Sequence, residues 1–182
     1  MKLPLMPTRS RSVHVIALAL MAGAIACGGD GAPPAQLPAG DQWHPFTGSW
    51  TASGTRHTLH LGGEHDAAVI DVSGSMLLAG PGKPGRGFRA DAIGFADDAE
   101  GFVGRAVWTD EQGDQVFSSL TGERVGTRSH LTGTFTGGTG RYAGATGEYQ
   151  FEWQYLIEAE EGLVQGRAVG LTGRVRIGEP AP

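Results

Sequence analysis

The chain has one cysteine, few charges and, from Trp43 to Ile177 beyond an expected N-terminal signal helix, no segment patterned as a helix of about ten residues. Each shortage excludes something. A single thiol forms no internal disulfide, so the folded part depends on packing alone. Charged residues make up 18% of the 182 residues, below the ~25% of an average soluble protein. The formal net charge is -5, and no Lys/Arg cluster follows the first dozen residues. Both observations argue against a nucleic-acid partner, which calls for a basic patch. A nucleophile elbow, P-loop, dinucleotide fingerprint and metalloprotease motif are also missing, so no cofactor is expected. Glycine, in contrast, is abundant at 31 residues, more than twice the ~7% of average usage. It lacks collagen-like spacing, which assigns it to turns, bulges and close strand contacts. The length suits one domain with a tail.

The N-terminus carries an export pattern. Lys2, Arg9 and Arg11 form a positive region, and Val13 to Ala26 is an apolar run. That run falls short of the ~20 residues a membrane-spanning helix needs. Ala24 and Ala26 then place small residues at the -3 and -1 positions of a cleavage site, directly before Cys27. This arrangement resembles the bacterial lipobox, in which the cysteine after the cut carries a lipid. The resemblance implies an exported protein held to a membrane of the cell envelope through Cys27. Where the family prefers Leu at -3 this chain has Ala24, and an Ala-x-Ala site also suits ordinary signal peptidase. Secretion without a lipid is the alternative. Residues 1–26 are therefore read as a signal peptide and 27–42, rich in Gly and Pro, as a tether. Residues 43–177 are read as the folded domain and 178–182 as a loose tail.

The folded domain reads as short β runs between Gly-rich turns. In Glu148 to Glu158, Tyr149, Phe151, Trp153, Tyr155 and Ile157 share one parity. Polar residues fill the other except at Leu156. A period of two is a half-buried strand. Weaker runs cover Ser49–Leu61, Ala67–Leu78, Gly87–Phe95, Gly101–Thr109, Gln115–Glu123, His130–Thr136 and Leu163–Ile177. The total is about eight strands, and short connections make neighbours antiparallel. Closing such a sheet into a barrel removes its open edges, and in-strand glycines provide the bending. An open sandwich is the alternative.

Gly137-Gly138-Thr139-Gly140-Arg141-Tyr142-Ala143-Gly144-Ala145-Thr146-Gly147, after Leu131-Thr132-Gly133-Thr134-Phe135, resembles the Gly-rich hairpin signature of the allene oxide cyclase and dirigent barrel families. The resemblance is concentrated over residues 128–155. It implies an eight-stranded antiparallel barrel with an internal pocket, in families whose plant members form trimers. The matched glycines are structural, so the families' activity does not transfer with them.

Trp108, Tyr149, Phe151, Trp153 and Tyr155 are candidates to line an apolar pocket, although side chains alone can fill a barrel of about eight strands. Arg89 and Asp91, of like parity, join them as candidate polar groups; Arg105, Glu123 and Arg167 also fall in strands, and outward solvated faces are the competing reading. If Trp108 points inward, Arg105 points outward. His57, His60 and His65 with Glu64 and Asp66 lack converging spacing, so no metal site is expected. Asp110 to Asp114 reads as a hairpin turn rather than a calcium loop.

Two classes of function follow. The missing catalytic motif favours a non-catalytic envelope lipoprotein that binds a small hydrophobic ligand or assembles, including with copies of itself. The barrel resemblance alone favours an isomerase or cyclase-like enzyme acting in the pocket on a hydrophobic substrate. A purely structural protein is a third possibility. A hollow interior with an Arg or carboxylate facing apolar walls separates them.

Overall fold

Alternating side chains require a face to bury, and eight such strands leave no open edge when the sheet closes on itself. The computed structural model describes residues 40, 42–63, 65–125 and 128–178. The expected signal peptide, Cys27, Glu64, most of the tether and residues 179–182 lie outside the described residues. The strands are β1 (His44–Gly62), β2 (His65–Ala79), β3 (Gly87–Asp97), β4 (Gly101–Asp110), β5 (Gln115–Val125), β6 (Arg128–Gly138), β7 (Ala145–Glu158) and β8 (Leu163–Ile177). Each pairs antiparallel with the next, and β1 pairs with β8, closing the barrel. Closure rules out the open sandwich.

Apolar side chains point inward on every strand: Phe46 and Trp50 on β1, Met76 on β2, Trp108 on β4, Leu120 on β5, Phe151 on β7. Many glycines serve as seats for these large rings. A Cβ on Gly133 would fall on the Tyr149 ring, one on Gly166 on Trp153, and one on Gly173 on Phe46. The rings reach over neighbouring strands where no side chain projects.

Gly170 acts through its backbone. It takes φ +66°, a conformation that strains other L-residues. Facing it, the ladders with β1 and β7 shift register between Gly48 and Trp50 and between Gln150 and Glu152. The inward set of β8 changes parity there, from Val164 and Ala168 to Leu171 and Val175.

The two barrel ends differ. At one end the chain passes from β6 to β7 through a 3-10 turn, Gly140–Tyr142. Tyr142 is buried and meets Phe88 at 5.8 Å between ring centres. Gly40 and Gly178, on the expected tether and tail, dock at this same end through hydrogen bonds to Ile177 and Gly144. The opposite end carries the connections after β1, β3, β5 and β7.

Candidate functional site

The inward aromatic residues divide into two groups. Toward the plugged end, Trp108 packs on Phe135 at 5.1 Å and on Tyr149 at 4.7 Å, and Phe46 and Phe88 close around it. This half is solid. Toward the other end the interior opens into a cavity of about 340 Å³, walled by Trp50, Phe102, Leu120, Leu131, Phe151 and Trp153. Its size lies near the lower bound for ligand pockets, ~300 Å³.

The pocket candidates from the sequence separate accordingly. Phe151, Trp153 and Tyr155 line the cavity. Trp108 and Tyr149 do not; their rings fill the solid half. Arg89 and Asp91 do not reach the interior at all. They pair at 3.1 Å on the outer face, with side chains 71% and 40% exposed, because inward parity on β3 belongs to Phe88, Ala90 and Ala92. Arg105, Glu123 and Arg167 are exposed too, and Arg105 is outward as the burial of Trp108 requires.

The polar groups of the mouth come from residues that the sequence reading passed over. Arg56 shares the inward parity of Trp50 and Ala52 on β1. Its Nη1 donates to Glu158 Oε1 at 2.9 Å, and its guanidinium lies 5.8 Å from the centre of the Tyr155 ring. Arg124 shares the inward parity of Leu120 on β5 and donates to Asp98 Oδ1 at 3.0 Å. Each of these ion pairs spans an intervening strand, so together they bracket the opening. Counting even-numbered positions along β1 and β5 finds both arginines. Burial pushes the Tyr155 hydroxyl above the usual phenol range, and Arg56 opposes the shift. Tyr155 is therefore a neutral donor at ordinary pH.

The histidines serve in separate pairs. His60 Nδ1 lies 2.6 Å from Asp66, and His65 Nε2 lies 2.9 Å from Asp97. The hydrogen bond to Asp97 raises the His65 pKa, and the same bond lowers that of Asp97. His57 is exposed. No three His, Cys, Asp or Glu side chains converge among the described residues. The Asp110 loop is a turn: Asp110 Oδ1 accepts from the Gln112 N–H at 2.7 Å and the Asp114 N–H at 3.1 Å. Across the plugged end, Arg141 Nε donates to Asp110 Oδ2 at 2.8 Å.

Chemically, the site offers an aromatic and aliphatic chamber with a neutral phenol and two balanced ion pairs at its entrance. In comparisons with known proteins the chain matches no family model, no curated protein and no solved structure.

Proposed function

We propose that this protein is an exported, lipid-anchored envelope protein whose barrel binds one small hydrophobic molecule in the cavity at its open end. The observation that carries the reading is the half-filled interior. A barrel with a purely structural role gains from filling its core, since buried voids cost packing energy. Here aromatic rings fill one half, while the other keeps about 340 Å³ behind an unplugged mouth. The export pattern before Cys27 and the resemblance of the Gly137–Gly147 hairpin to the allene oxide cyclase and dirigent barrels support the same reading. Native mass spectrometry of gently purified protein tests it. A small molecule retained on the protein supports the reading. Bare polypeptide that also fails to bind added hydrophobic probes counts against it.

The isomerase or cyclase-like reading is favoured by one observation. Arg56 faces the apolar chamber beside Tyr155 and Glu158, an arrangement able to orient a substrate and lend it a proton. Turnover of a retained molecule, lost in Tyr155→Phe without loss of binding, distinguishes this second reading from simple carriage.

A further inference from the structure

The cavity wall contains two polar groups that no described residue satisfies. Trp50 is 5% exposed, and its indole N–H finds no acceptor among the described residues. The Nε of Arg56 is likewise buried without a partner. Buried donors left unpaired are rare and costly, about 1–3 kcal/mol each. Both are N–H donors, so whatever complements them brings an acceptor. Water is a poor candidate at Trp50, because a held water needs two to four polar partners. The nearest rings, Trp153 at 5.0 Å and Phe151 at 6.0 Å, supply none.

Charge narrows the class. At the mouth, the charge of Arg56 is matched by Glu158 and that of Arg124 by Asp98, so the donor left on Arg56 Nε comes with no unbalanced positive charge to draw in an anion. The Arg56 backbone lies six residues beyond Trp50, about 20 Å along an extended strand. A carboxylate brought down to Trp50 would lose its hydration with no cation at that depth. An ammonium has no lone pair to offer an N–H.

We infer that the cavity takes an uncharged apolar carbonyl compound whose oxygen accepts the Trp50 indole N–H. This rests on the proposed ligand-binding reading of the same cavity. The N–H is buried, so a small rotation of the indole accompanies ligand entry. The body of the ligand lies against Leu120, Leu131 and Phe151, and its open end faces the unpaired Arg56 Nε.

Three probes of matched size test the inference: 2-acetonaphthone, 2-ethylnaphthalene and 2-naphthoate, titrated by tryptophan fluorescence into the protein and its Trp50→Phe variant. Removing one neutral hydrogen bond changes affinity by about fivefold. The ketone therefore weakens about fivefold in Trp50→Phe, the hydrocarbon is unchanged, and the carboxylate binds at least tenfold more weakly than the ketone in the parent protein. If 2-naphthoate binds tightest, or ketone and hydrocarbon weaken together, the inference falls while the hydrophobic cavity stands. If none of the three saturates, the ligand-binding reading itself falls. A second readout needs no variant. The Trp50 indole N–H resonance moves downfield with ketone and not with hydrocarbon; equal or absent movement overturns the inference even if Trp50→Phe does not fold.

Discussion

Ser118 Oγ and the Tyr149 hydroxyl lie 2.7 Å apart inside the barrel, joining β5 to β7 across the intervening β6. The pair marks the boundary between the two halves of the interior. Two residues further along each strand stand Leu120 and Phe151, which line the cavity. Both boundary residues are 2% exposed, and burial holds the Tyr149 phenol far above its ordinary range, against the opposing pull of the Ser118 hydrogen bond.

Ser118→Ala strips the Tyr149 hydroxyl of its serine partner, leaving it stranded but for the Trp108 side chain, and destabilises the fold by about 1–3 kcal/mol, the cost of an under-satisfied buried polar group. Adding Tyr149→Phe removes the stranded group. The double variant is then more stable than the sum of the single losses predicts. Urea unfolding of the full double-mutant cycle measures the coupling.

At the plugged end, Asp110 is 1% and Arg141 10% exposed by side chain. Burial pushes the Asp110 pKa up, but Arg141 and the Gln112 N–H outweigh it and hold the carboxylate below its ordinary range. Arg141→Ala leaves that carboxylate buried without its cation and costs about 3 kcal/mol. The pH dependence follows in sign. Asp110 binds its proton less readily in the native state, so its stabilisation is complete above pH ~4 and is lost as pH falls through its depressed native pKa. Asp110→Asn therefore loses most stability at neutral pH and flattens the acid limb of the stability profile, which urea midpoints between pH 2 and 7 record.

Gly133→Ala places a methyl group where the Tyr149 ring lies. Overpacking of this kind costs about 1–3 kcal/mol. The loss appears in thermal unfolding, and a shifted Tyr149 side-chain resonance accompanies it. Gly113→Ala, at a hairpin tip with no neighbour to meet its Cβ, acts only through its φ of +88° and leaves the Tyr149 resonance in place.

The proposed anchor makes its own prediction. Cleavage before Cys27 leaves 156 residues, from 182 less the 26 of the signal peptide, with the thiol carrying lipid. Intact-mass measurement of protein from membranes shows that chain plus acyl mass. A free Cys27, or an N-terminus elsewhere, contradicts the anchor.

Much of the architecture was legible in the sequence. The alternation from Tyr149 to Tyr155 and the glycine-marked turns gave eight strands in the right order, and all eight observed strands contain or overlap the expected runs. The closed barrel follows because every edge then finds a partner. What stayed hidden was the inward parity of individual strands. Ile157 continues the alternation of β7 on paper, yet it is 54% exposed, since the ladder with β8 shifts between Tyr155 and Ile157. The division of the aromatic residues into plug and chamber was also illegible. Trp108 and Trp153 are equally apolar, and only the third dimension shows that one packs among Phe46, Phe88 and Phe135 while the other borders open space. Arg89 and Asp91 misled for a similar reason. Shared parity places two residues on one face but does not say which face is inside; the small neighbours Ala90 and Ala92 carried that information. Arg56 and Arg124 were readable from the even positions they share with Trp50 and Leu120.

The central claim is that the open half of the barrel binds a small hydrophobic molecule. The most direct measurement is fluorescence titration with the uncharged probe N-phenyl-1-naphthylamine, using the parent protein and a Leu120→Trp variant that fills the cavity. The account predicts one saturable site in the parent and its loss in a variant that keeps the parent's β circular dichroism. Absence of saturable binding in the parent, or undiminished binding in the folded variant, contradicts it.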